Sequence, residues 1–223
     1  MRRFTLHKQA GGKGFTIVEL LVAMMVFSFV LLIVTVAIMQ ISRMYYKGMT
    51  ESNTQATARS IMDTVSQAIQ FNGGTVSATP SAPGNPTPGS SYAFCVNNQQ
   101  FSYRPGYQMV DSTPGTNQTR HSLVVNTVSG CSTSTPQNLS NATIAGRELL
   151  APNMRLSSMV VTNLGNSLYK VQVRVVYGDD SLLLSPSGNG AGAAAPDAAC
   201  RGGAGQQFCS VSDLSTIVIS RVK

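Results

Sequence analysis

The chain has 223 residues, only 11% of them charged, and a formal charge of +7. Arg2, Arg3, Lys8 and Lys13 all precede a long apolar run; without them 12 basic and 9 acidic residues remain, a net +3. The basic excess is therefore a topology signal and not a nucleic-acid footprint. The length suffices for one moderate domain with a sizeable core and some extra structure. Ser, Thr, Asn, Gln and Gly stand where charges usually would, which suits an extracellular surface.

Residues 1–14 are basic and end in Gly11-Gly12-Lys13-Gly14. Phe15 to Met39 follows, with Glu19 as its one charge. About 25 helical residues span roughly 37 Å, more than a hydrocarbon core of about 30 Å. Residues 15–39 are thus expected to cross a membrane. Positive charges before the run outnumber Arg43 and Lys47 after it, which predicts a cytoplasmic N-terminus and an outer remainder. A secretory signal peptide has a shorter apolar region that ends in a small-residue cleavage site. Here the small residues come first, so any processing signal lies on the cytoplasmic side of a segment that stays in the protein.

Glu19 needs a cation at its own depth. Cleavage after Gly14 would create one, the α-amino group of Phe15, about 6 Å away along a helix. Amine and carboxylate would then pair within one chain or between staggered neighbours.

The stretch Gly14-Phe15-Thr16-Ile17-Val18-Glu19-Leu20-Leu21-Val22-Ala23 resembles the cleavage and methylation motif of type IV pilins and pseudopilins. The resemblance covers the apolar run strongly and the following helix more loosely. It implies that a prepilin peptidase cuts between Gly14 and Phe15 and N-methylates Phe15. It also implies that Glu19 guides docking into a helical filament. The implied partners are that peptidase, other pilins and minor pilins, an inner-membrane assembly platform, and membrane lipids before assembly. Many major pilins carry a proline in the membrane half of this helix; this chain has none between Phe15 and Phe71.

From residue 40 to 71 the pattern turns amphipathic. Ile61, Val65, Ala68 and Ile69 fall on one face, with Met44 and Tyr45 expected to begin it. Arg43, Lys47, Glu51, Arg59 and Asp63 mark the wet side. Asn72-Gly73-Gly74 is the expected stop. One helix from Phe15 to Phe71 is predicted, with two helices hinged near Gly48 as the alternative.

Residues 72–223 are expected to form a β-rich head. Residues 75–91 are a Pro/Gly/Ser-rich linker or loop. Strands are expected over 92–96, 100–103, 122–128, 154–162, 168–177 and 215–222. Turns are expected at Asn97-Asn98-Gln99 and Asn163-Leu164-Gly165-Asn166. Val171, Val173 and Val175 alternate with Gln172 and Arg174, the mark of a half-buried strand. The expected fold is α+β and pilin-like: a long N-terminal helix whose second half packs on an antiparallel sheet.

Cys95, Cys131, Cys200 and Cys209 all lie beyond the apolar run, and an even number there suggests two disulfides. Three pairings exist; sequence proximity favours Cys95 with Cys131 and Cys200 with Cys209. Such a second bridge would tie the small-residue loop over 185–209, in keeping with pilin heads, which often end in a disulfide-constrained region. With no CxxC and two histidines, His7 and His121, the cysteines do not suggest a metal site.

Little looks catalytic. His121, beside Arg120, has no evident acid or nucleophile partner in the sequence. Asp179-Asp180 after Gly178 is a pair that could ligate a cation, with a solvated turn as the favoured reading. Tyr103, Arg104 and Tyr107 resemble a stacking-and-cation patch for single-stranded nucleic acid, though such a grouping is also common in plain sheets. Asn117, Asn138 and Asn141 start N-x-S/T sequons. We expect no enzyme, no cofactor and no metal. The function expected is that of a large minor pilin of a type IV pilus. The alternatives are a type II secretion pseudopilin, or a tip adhesin or DNA-uptake pilin.

Overall fold

The computed structural model describes residues 14–71, 76–77, 90–110, 119–139, 143–184 and 197–221. The stop at Asn72-Gly73-Gly74, the sequons at Asn117 and Asn141 and most of the 75–91 segment lie outside these residues. The chain divides into two compact units, one up to Arg43 and one from Met44 onward.

Helix α1 runs over Ile17–Phe71. No proline interrupts it, and it passes through Gly48 without a break, so the hinged alternative does not form. In its apolar part Ser28 Oγ donates to the Met24 carbonyl and Thr35 Oγ1 to the Leu31 carbonyl, at 2.8 Å each. These bonds spare two hydroxyls the cost of lying unpaired among apolar groups. The helix is long and apolar enough to cross a membrane.

In the second unit α1 buries Thr54, Ala58, Ile61, Met62, Val65, Ala68 and Ile69. Met44 and Tyr45, expected to begin this face, are 72% and 64% exposed. The face starts a few turns later because Thr54 is the first helix residue that the head covers completely.

The single sheet expected from the sequence is in fact two, with a small ribbon beside them. Strands β1 (Val76–Ser77), β2 (Tyr92–Val96), β3 (Gln99–Tyr103), β4 (Leu123–Thr127) and β5 (Arg147–Glu148) pair antiparallel in that order. Strands β6 (Met154–Gly165), β7 (Leu168–Tyr177) and β10 (Ser210–Ile219) form a second antiparallel sheet with β7 in the centre. Strands β8 (Leu183–Leu184) and β9 (Ala199–Cys200) make the ribbon. Both sheets and the helix share one core, in which Ile61, Val65 and Ile69 meet Phe94, Phe101, Leu123, Leu156 and the β7 valines. Each such side chain contributes about 1.5–3 kcal/mol by leaving water.

The turns follow from backbone chemistry. Asn97, at φ +53°, turns β2 into β3. Asn166 and Ser167, at φ +52° and +61°, join β6 to β7. Two successive residues in this left-handed region match the twist of a tight hairpin, and Asn adopts it readily. The loop expected over 163–166 therefore shrinks, and β6 continues to Gly165.

Disulfides join Cys95 to Cys131 and Cys200 to Cys209. The first anchors a covering segment on the outer face of the five-stranded sheet. Gln100 Nε2 donates to the carbonyls of Ser132 at 2.8 Å and Thr135 at 3.0 Å, and Leu139 is buried beneath.

Candidate functional site: the segment before the membrane helix

Gly14, Phe15 and Thr16 lie just before α1 and carry no helical assignment. Among the described residues, nothing stands within 4 Å of where a Gly14 side chain would begin, and Phe15 is 83% exposed. Nothing among these residues therefore shields the bond between them from a second protein.

Thr16 and Glu19 form a reciprocal cap. The Thr16 main-chain N–H and hydroxyl each donate to Glu19 Oε2 at 2.9 Å. The Glu19 N–H donates back to Thr16 Oγ1 at 3.2 Å. The Thr16 carbonyl accepts the first helical bond, from the Leu20 N–H. This is a capping box, with Thr16 as N-cap and Glu19 three residues on. It satisfies donors that a helix start otherwise leaves bare. It also draws the carboxylate back toward the N-terminus. An amine on Phe15 would lie within about 4 Å of the Thr16 nitrogen by covalent geometry alone. Sequence analysis singled out Glu19 but missed Thr16, although a Thr-x-x-Glu pattern ahead of an apolar run is a known helix-start signature.

The remaining candidates belong to the head. His121 is buried and does have an acid partner: its Nδ1 lies 3.4 Å from Glu148 Oε2. Glu148 also accepts the main-chain N–H groups of Ser122, Leu123 and Leu150 at 2.9, 3.0 and 3.1 Å. Burial pushes its carboxyl pKa up, against the pull of these donors and of His121. The group clips β5 to the start of β4. Asp180 is exposed, as expected of a solvated turn residue, and it also accepts a hydrogen bond from Arg155, which is buried and donates to the Gly178 carbonyl at 2.6 Å. Of the nucleic-acid patch, Tyr103 is only 2% exposed and belongs to the core. The Tyr107 ring carries Arg104 at 4.1 Å and Arg120 at 5.0 Å. The stacking platform thus loses one tyrosine, and guanidinium groups occupy the other.

Residues 11–35 match the model of the prokaryotic N-terminal methylation motif. The chain carries the N-terminal motif of type IV pilins and pseudopilins. The match includes Gly14, Phe15, Thr16 and Glu19 and most of the apolar run. No curated protein and no solved structure matches the chain. The pilin-type motif implies processing by a prepilin peptidase and assembly with other pilins. With the apolar helix it fits a membrane-anchored, single-pass protein. The α+β architecture, one long N-terminal helix followed by antiparallel sheets, is consistent with a pilin fold.

Proposed function

We propose that this chain is a minor pilin of a type IV pilus. A prepilin peptidase cuts it between Gly14 and Phe15 and methylates the new amine. The protein waits in the inner membrane with its N-terminus cytoplasmic and its head outside. It then enters or primes the filament through the assembly platform. Residues 15–39 become part of the filament core, and residues 40–71 hold the head. The observation that carries this proposal is the methylation motif, with Glu19 and its Thr16 cap at the head of an unbroken α1.

The size and loop content of the disulfide-bridged head favour a minor over a major subunit. The test is to shear filaments from cells and measure this chain against the principal subunit. A minor pilin is present in the filaments at a small fraction of that subunit, and its deletion lowers filament number. Absence from sheared filaments, with secretion of a folded exoprotein lost instead, would make it a secretion pseudopilin.

A further inference from the structure

The head contains a groove of about 420 Å³ between the last two turns of α1 and the ends of β3, β4 and β5. Its size falls within the usual range for small-molecule sites. Gln67, Phe71, Gln99, Asn126, Thr127 and Arg147 line it. Gln67 and Phe71 stand four apart on α1 and so share a face. Gln99 and Thr127 are register partners across β3 and β4, and Val125 pairs Arg147 across β4 and β5. Two layers of secondary structure therefore hold these side chains over one space.

Their chemistry is selective. Among the described residues, the side chains of Gln67, Gln99, Thr127 and Arg147 make no hydrogen bond or ion pair, and these four line the groove; Asn126, the register partner of Gln100, lies on the outer face of the sheet and borders the groove through its backbone. Two amides and a hydroxyl each offer both donors and acceptors. Phe71 is 58% exposed and supplies an apolar surface. Arg147 supplies one positive charge, and Arg221 lies 5.8 Å from the Phe71 ring at the same end. The lining has no carboxylate, imidazole or thiolate, so it has no donor set for a metal. It is too polar for a lipid chain. It also lacks the row of cations and the several stacking rings that a nucleic-acid strand uses.

We propose that this groove binds an acidic saccharide of the uronate type. The amides and Thr127 take the sugar hydroxyls, Phe71 receives a C–H face of the ring, and Arg147 pairs with the carboxylate in a two-pronged hydrogen bond. Gly146 positions Arg147. It sits at φ +111°, and a side chain there would overlap the Val125 carbonyl oxygen. This function is independent of the minor-pilin assignment, because any pilin-type head could carry it.

The test uses the full chain in detergent micelles and a tetramer of galacturonate, followed by NMR of the side-chain amides. Saturable shifts are expected at Gln67 and Gln99, with Kd in the micromolar to millimolar range. The same tetramer as its methyl ester should bind at least tenfold more weakly, and so should a tetraglutamate peptide. Arg147→Gln should weaken the acid at least tenfold while leaving the ester unchanged. Gln67→Ala, on the exposed side of α1, should weaken both; unchanged thermal unfolding will show that each variant still folds. The proposal is overturned by an absence of saturable shifts, by equal binding of acid and ester, by equal binding of the peptide, or by full binding in either variant.

Discussion

Thr16 and Glu19 bind each other in both directions across the first turn of α1, through two donors to Glu19 Oε2 and one N–H returned to Thr16 Oγ1. Glu19 thus has two roles in one place. Its oxygen caps the helix, and its charge stands beside Phe15, where the proposed cleavage would create an amine. An ionised side chain in the hydrocarbon costs about 2.5–3.5 kcal/mol on insertion scales. Leaving one charge of a pair buried alone is worse than burying neither. A helix entering a filament therefore gains most where each carboxylate meets an amine, which supplies register as well as affinity.

Substitutions separate the two roles. Glu19→Val removes both cap and charge, and should leave insertion and cleavage intact while incorporation into filaments falls or initiation fails. Glu19→Gln keeps an oxygen for the Thr16 donors, so it preserves the cap, at about 1 kcal/mol for such groups. If charge guides assembly, Glu19→Gln should fail as Glu19→Val does. Fractionation of membranes and sheared pili reads the outcome. Wild-type amounts of Glu19→Val in pili would remove Glu19 from assembly, and wild-type amounts of Glu19→Gln would remove its charge.

The exposed Gly14–Phe15 junction predicts a graded response to side-chain size. Gly14→Ala should slow cleavage mildly. A bulky change such as Gly14→Leu should block it and hold the uncut chain in the membrane. An immunoblot that resolves the two lengths measures this. Normal processing of Gly14→Leu would show that the cut lies elsewhere.

The two disulfides close chain separations of 36 and 9 residues. Loop-closure entropy gives about 4 and 2.5 kcal/mol respectively. Replacing Cys95 and Cys131 by Ser should therefore destabilise the head more than the same change at Cys200 and Cys209. Denaturant unfolding of the variants tests the order, and non-reducing peptide mapping tests the pairing. Free thiols or crossed pairs in oxidised protein would contradict it.

Glu148 gives the head a pH dependence of defined sign. Its folded pKa is raised by burial, so the folded head holds a proton at pH values where the unfolded chain, titrating near about 4.3, has lost it. Stability from this group is therefore fully present in acid. It falls as pH rises from the unfolded pKa to the folded one, and is level above. Glu148→Gln should abolish that slope. It should also lower stability throughout, because one amide oxygen replaces two carboxylate oxygens facing three N–H donors. Carboxyl ¹³C NMR reads the group directly. A midpoint at or below about 4.3 would contradict the direction.

Periodicity made α1 and the β7 valines legible, because one face of a helix and alternate residues of a strand must both be apolar to enter a core. The polar start of β10 was not. Ser210 and Ser212 are buried but carry no apolar signal; they enter the strand because β7 beside them is long and well packed. The division into two sheets was equally hidden, since alternation shows that a residue faces a core and not which neighbours it pairs with. At the N-terminus the sequence displayed Gly14, Phe15 and Glu19 through their unusual position. Thr16 looked like one more small residue until its hydroxyl met Glu19. Glu148 and His121 lie 27 positions apart, and only the β4–β5 pairing brings them together.

The mass of the mature N-terminal peptide tests the central claim most directly. The protein purified from membranes or filaments should begin at Phe15 and carry one extra methyl group on its amine. A chain that still begins at Met1, or one that begins beyond Met39, would contradict processing at this motif and with it the assembly role of Glu19.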